Sequence, residues 1–377
     1  MNYSFSTMLM TVLASNLLIV MIVLCFRSRK ILLSVGYKLI AVFLALTVLR
    51  FLFPFEVPFS RNIYFPGWLS KGVAYFRHPF LRFGMIRISA CTILGCVWIG
   101  GTVYFIYKHF KDKASCRHYI IRYGENLTKR EPYKRMMAEI CGSRRNPLWV
   151  VKVPYYGAPM QYGTIRPYIV LPSTMNFSEE EIYYILRHET AHYYRHDALL
   201  KDAIGILRAI YWWNPLAGQM EKKTDLLLEM RVDEKLIAGD AVAREAYCRT
   251  LDRVNEEIRG KSAMPGIDAA IPVADVKSED LERRQSMMRR NKEKRGPLFY
   301  GLAAFAVGIY IASYCFTLEA YAFRPWDVAV SNSVADDCMY AVLREDGTYD
   351  VYLNGHFAEN VDTLECYIGI SVREELE

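Results

Sequence analysis

The sequence predicts a mainly α architecture. Four membrane-spanning helices are expected, with a soluble α+β domain between the third and fourth and a small β unit after the last. Three observations predict it. Apolar runs without a charged residue cover residues 4–26, 88–107 and 298–318, each near the ~20 residues a membrane helix needs. Composition is 53% hydrophobic and 14% aromatic, yet the charged share is an ordinary 23%, as expected when apolar spans alternate with soluble parts. Charge is also segregated. The net charge is +7, but residues 319–377 hold thirteen acidic and three basic residues, so residues 1–318 carry +17. A basic body is compatible with nucleic-acid binding, but cytoplasmic flanks of membrane spans collect the same residues, and no direct nucleic-acid contact is inferred.

The first span is not a cleaved signal, because Met1-Asn2-Tyr3 lacks a positive n-region. Arg27, Arg29 and Lys30 follow it and set the first loop inside. The second span, residues 32–54, includes Lys38 and Arg50, which lie toward its ends and can snorkel in opposite directions. The third ends at Lys108, Lys111 and Lys113, and the fourth follows a basic run from Arg283 to Arg295. These flanks predict a multi-pass plasma-membrane protein with both termini outside. The loop at residues 55–87 runs against the rule, since it is outside yet holds five basic residues.

The expected division is residues 1–109 for three spans, 110–297 for a cytoplasmic domain, 298–318 for the fourth span and 319–377 for an acidic extracytoplasmic unit. The basic run reads as a juxtamembrane anchor, with lipid contact as the sharper reading. In the acidic tail, residues 340–343 and 348–353 flank Asp346-Gly347, a hairpin signal. Cys338 and Cys366 also lie there and are open to disulfide pairing if the tail is extracytoplasmic.

The chemistry is concentrated after Ser178. Ser178 and Glu181 form a capping box that starts a helix, and Ile182, Ile185 and Leu186 give it an apolar face. His188-Glu189-Thr190-Ala191-His192 follows. Histidines four apart share a helix face, so both imidazoles can reach one tetrahedral Zn2+. Glu189 is placed to act as the base that accepts a proton from the attacking water. The bland alternative is a polar helix face with two solvated histidines.

A third ligand is needed. Glu221, Asp225, Glu229 and Asp233 recur every four residues, an acidic stripe on a second helix. Glu221 and Asp225 lie beside Lys222 and Lys223 and read as solvated. Glu229 and Asp233 are set among Leu226, Leu227, Leu228, Met230 and Val232, where a carboxylate needs a partner. Glu229 is therefore assigned as third ligand, Asp233 as the group that orients a ligating histidine, and Asp197 as a support near the first helix.

This constellation resembles the BlaR/MecR-type antirepressor membrane zinc metallopeptidases. The likeness rests on residues 188–197, on Trp213-Asn214-Pro215-Leu216, on residues 229–233, on Arg166-Pro167-Tyr168-Ile169-Val170-Leu171-Pro172 and on Arg50-Phe51-Leu52-Phe53-Pro54. It implies a gluzincin-like metallopeptidase domain and a cytoplasmic protein substrate, in that family a DNA-binding repressor. It also implies self-cleavage before the last span, with residues 283–295 as the exposed place, and leaves homodimer formation open. The substrate is expected to add as a strand along Tyr168, Ile169, Val170 and Leu171. Family members that sense β-lactams end in a penicillin-binding domain, whereas residues 319–377 contain no Ser-x-x-Lys. Two rivals remain: a CAAX- or heat-shock-type membrane protease, and a non-proteolytic receptor with a structural zinc site. Trp213-Asn214-Pro215 and the three-plus-one span order argue against the first, and Glu189 against the second.

Overall fold

The computed structural model describes residues 5–55, 57, 60–64, 76, 79–83, 86–237, 241–258, 278–289, 296–319, 339–344, 347–353, 356–362 and 371–373. The chain forms two compact units, one of residues 1–63 with 77–318, the other of residues 64–76 with 319–377.

The first unit begins with α1 (Phe5–Arg27), α2 (Arg29–Val35) and α3 (Tyr37–Leu52), followed by β1 (Arg61–Tyr64) and a hairpin of β2 (Pro79–Phe83) and β3 (Ile86–Ser89). Next come α4 (Ala90–Tyr123), β4 (Glu125–Asn126), α5 (Tyr133–Cys141), β5 (Trp149–Val153), β6 (Met160–Tyr162) and β7 (Tyr168–Pro172). The helices α6 (Glu179–Tyr194), α7 (Asp197–Ile210), α8 (Pro215–Leu236), α9 (Ala241–Ile258), α10 (Ser278–Met288) and α11 (Pro297–Cys315) complete it, with β8 (Phe316–Glu319) at its end.

Three described helices are long and apolar enough to cross a membrane: α1 from Thr7, α4 and α11. A fourth candidate joins α2 to α3 through a bend of 87°. The span expected at residues 32–54 is therefore two helices joined at a sharp bend. The bend falls at Gly36, whose φ of 74° is a conformation that side chains disfavour. Arg50 does not snorkel either. It is 1% exposed, donates to the carbonyls of Phe53 and Ser313, and lies over the Tyr314 ring. The helix expected as the third span continues without a break to Tyr123, so the helix expected after residue 110 is its extension. The charges at Lys108, Lys111 and Lys113 mark where apolar character stops and do not interrupt the backbone ladder.

The sheet order is β4-β5-β7-β6, with β5 and β7 parallel and β6 antiparallel to β7. One sheet face packs on α5 and α6 through Val150, Ile169 and Leu171, and the other covers Cys116 and Ile120 of α4. A larger apolar cluster joins α1 and α3 to Ile204 and Leu207 of α7 and to Leu226, Leu227 and Met230 of α8.

In the second unit the expected hairpin is present. β9 (Met339–Leu343) pairs antiparallel with β10 (Tyr349–Leu353), and Gly347 takes a positive φ of 80° in the turn. β11 (His356–Val361) and β12 (Ser371–Arg373) complete a sheet ordered β11-β10-β9-β12. Cys338 and Cys366 fall outside the described residues.

Candidate metal centre

The helix carrying the motif starts as its sequence requires. Ser178 Oγ accepts from the Glu181 amide at 3.3 Å, and Glu181 returns the bond to the Ser178 amide at 2.7 Å. Glu179, Glu180 and Glu181 complement the positive helix start. At the other end His196 adopts a left-handed φ of 57°. That sharp turn starts α7 at Asp197 and brings its carboxylate back under α6. For α8, Asn214 is the N-cap, accepting from the Leu216 amide at 3.1 Å, and Pro215 occupies the first turn.

α6 and α8 bring together His188, His192 and Glu229, whose candidate ligand atoms all lie within 4.8 Å of one another. The two Nε2 atoms are 3.0 Å apart, and Glu229 lies 3.1 Å from His188 Nε2 and 3.5 Å from His192 Nε2. Four-coordinate zinc with 2.0–2.1 Å bonds sets neighbouring ligand atoms about 3.3 Å apart. The spacing therefore fits one ion held by two imidazoles and a carboxylate.

Both Nδ1 atoms face away from the cluster and are held. His192 Nδ1 meets Asp197 Oδ2 at 2.7 Å, and Asp197 pairs with Arg231. His188 Nδ1 meets the Tyr247 hydroxyl at 2.7 Å, which donates to Asp233 Oδ1 at 2.6 Å. Arg284 grips Asp233 through bonds of 2.7 and 2.9 Å and reaches Glu229 at 3.2 Å. Such supports fix the tautomer and direction of a ligating imidazole.

The electrostatics suit a cation. Burial pulls the His192 imidazolium down, but Glu229 and Asp197 more than offset it and hold its pKa at about 10. Burial pushes the Glu229 carboxyl up, and Arg284 and His192 outweigh that, holding it well below the usual carboxylate range. The cluster thus favours positive charge at its centre. Burial raises the Glu189 carboxyl, while His188 and His192 pull it down.

Glu189 is 7% exposed, and the Gln161 backbone on β6 lies close enough to its carboxylate to favour the charged form. It therefore lies between the histidine pair and an edge strand. That strand is not the expected one. Tyr168, Ile169 and Val170 are paired on both sides, with β5 and β6, and Leu171 with β5. At Tyr168, Ile169 and Val170 the strand has no free edge, so β6, at the edge of the sheet, replaces β7 as the candidate for strand addition.

The remaining acidic positions pair with basic residues of α7, not with the adjacent Lys222 and Lys223. Glu221 pairs with Arg208 and Asp225 with Lys201. Sequence reasoning missed Tyr247 on α9 and placed Arg284 in a membrane flank. No spacing rule links either to the motif. The region 283–295 is also not an exposed stretch where it is described: Arg283 pairs with Glu279 and Asp280, and Arg284 is buried. Residues 290–295 fall outside the described residues.

A family model described as BlaR1 peptidase M56 matches residues 82–288, more than half of the chain. The chain belongs to the BlaR1 peptidase M56 family. The matched region contains the His188–His192–Glu229 cluster and every support just described, so membership in this peptidase family and the local geometry concern the same residues. The M56 chain is 36% identical over 81 residues to the regulatory protein BlaR1 of Bacillus licheniformis, covering 21% of this chain and 14% of that protein. It is 34% identical over 59 residues to the methicillin resistance mecR1 proteins of Staphylococcus aureus and Staphylococcus epidermidis, covering 15% of this chain and 10% of each. The matches therefore span a seventh or less of those relatives.

Proposed function

We propose that this chain is an integral-membrane zinc metalloendopeptidase of transmembrane signalling. His188, His192 and Glu229 are its zinc ligands, Glu189 its general base, and Asp197 and Asp233 the carboxylates behind the histidines. The observation that carries this reading is the convergence of three ligand atoms on one point, with a buried carboxylate beside them and an edge strand next to that carboxylate. A purely structural zinc site has no use for Glu189, which favours an enzyme over a receptor scaffold.

Bound zinc supplies Lewis acidity toward water and the scissile carbonyl. Glu189 takes the proton from the attacking water and returns it to the leaving amine. β6 aligns the substrate backbone by strand addition. The substrate class is a cytoplasmic protein, and the resemblance to BlaR/MecR-type antirepressors favours a DNA-binding repressor. The basic flanks at residues 27–30, 108–113 and 283–295 support four spans with the peptidase inside and the acidic tail outside.

Glu189→Gln tests the chemistry. It keeps the ligands and removes the base, so proteolysis should fall by about 10²–10⁴-fold while zinc content stays at one ion per chain. Comparing new N-termini of cytoplasmic proteins in cells with each form identifies the substrate. Full proteolysis by a zinc-loaded Glu189→Gln protein would refute the assignment.

A further inference from the structure

Residues 203–220, across the end of α7 and the start of α8, contain one charged residue, Arg208. This run is too short to cross a bilayer, but its contacts lie along spans. On α4 the contacts climb from the basic flank into the apolar run. Lys113 pairs with Asp202, Gly205 packs against His109, Trp212 stacks on Phe105 at 5.7 Å, and Trp98 Nε1 donates to the Ile210 carbonyl at 2.7 Å. Trp98 stands near the middle of the uncharged run 88–107.

α1 reports the same depth independently. Asn214 Nδ2 donates to Asn16 Oδ1 at 2.7 Å, and Asn16 is near the middle of the uncharged run 4–26. Lower down, Lys223 lies over the Phe26 ring at 5.5 Å, where charge resumes on both helices. The approach to α4 is close. A Cβ on Gly101 would come 2.4 Å from Trp212, and one on Gly205 would come 2.5 Å from His109, the small-residue packing typical of membrane helices. The charge at this depth is neutralised, since Arg208 pairs with Glu221 at 2.5 Å.

We propose that the α7–α8 hairpin is a re-entrant membrane element whose tip, residues 211–214, sits near the middle of the bilayer, with Trp213 against lipid acyl chains. Trp213 is 45% exposed, and the α4 residues at this level, Val97 and Ile99, are 55% and 59% exposed. Eight helical residues on the α7 side and six on the α8 side give about 9–12 Å of depth, within half of a ~30 Å hydrocarbon core. The hairpin joins the two halves of the metal centre. Glu229 lies fifteen residues beyond Asn214, about 22 Å along α8, which sets the centre at the headgroup layer. A substrate must then be cut at the membrane surface.

This inference rests on the four-span reading, and the test separates the two. The full chain is placed in phosphatidylcholine–phosphatidylglycerol vesicles with photoreactive p-benzoylphenylalanine at position 213, 206, 97 or 165. Irradiated protein is then analysed by mass spectrometry for acyl-chain adducts. Val97 is the span control, and Ile165, 96% exposed in the peptidase region, is the water control. Expected are adducts at 213, 206 and 97 and none at 165. An adduct at either hairpin position supports the proposal even if the other substitution prevents folding. Adducts at 97 with none at 213 or 206 overturn the re-entrant hairpin alone. No adduct at 97 overturns the span reading and the hairpin with it, and equal yield at 165 overturns the depth assignment.

Discussion

His188 and His192 lie one helical turn apart and direct their Nε2 atoms to the same point, but the structures behind their rings differ. The His192 support is local. Asp197 is five residues away, and its cation, Arg231, is 29% exposed. The His188 support draws on α8, α9 and α10: Tyr247 touches the ring, Asp233 takes the hydroxyl, and Arg284 holds Asp233 in an ion pair whose side chains are 1% and 10% exposed. The His192–Asp197 contact of the first arm forms whenever the α6–α7 turn forms, and α8 adds only Arg231. The second exists only when three helices are assembled, so the direction of one ligand depends on the docking of the segment just before α11.

The sharpest break between the arms should come from Asp233→Ala. It leaves the Arg284 guanidinium buried without its main partner, a defect of about 3–5 kcal/mol. The thermal unfolding midpoint in detergent should fall steeply even with zinc in excess. A loss below about 1 kcal/mol would mean that Arg284 reaches water or settles on Glu229, and that the arms are alike after all. Asp197→Asn should do less to stability, because Arg231 is already partly solvated. Its effect should appear in the metal, with zinc affinity about 10–100-fold weaker by chelator competition. Equal loss of stability in the two variants would erase the distinction between them.

The same contrast explains what was legible in the sequence. The His192 arm lies within one short stretch, and the capping box, the four-residue histidine spacing and Asp197 can be read from residues 178–197. Glu229 and Asp233 were readable because an acidic stripe passes into an apolar run, where solvation no longer explains it. Tyr247 and Arg284 carry no such mark. Their partners are set by helix docking, and Arg284 sits in a basic run that membrane topology explains equally well. The bend at Gly36 was hidden for a similar reason: one glycine in an apolar stretch is compatible with a straight span. Arg50 shows the converse error. Its position near a span end suggested snorkelling, whereas carbonyls freed at the ends of α3 and α11 hold it inside.

Tyr247→Phe is the gentlest probe and isolates the relay from the ion pair behind it. The ring, stacked on His188 at 6.0 Å, is retained, and so is the Arg284–Asp233 pair. What is lost is the hydroxyl that joins His188 Nδ1 to Asp233. The two groups are 3.7 Å apart, too far for a good hydrogen bond without a shift. Stability should fall by about 1–1.5 kcal/mol, the net worth of buried hydrogen bonds. Zinc binding should weaken by less than in Asp197→Asn, since the Phe ring still confines the imidazole. If Tyr247→Phe instead matched Asp233→Ala in stability, the hydroxyl would be the keystone of the α8–α10 assembly. The ion pair would then be its dependent, reversing the order of support inferred here.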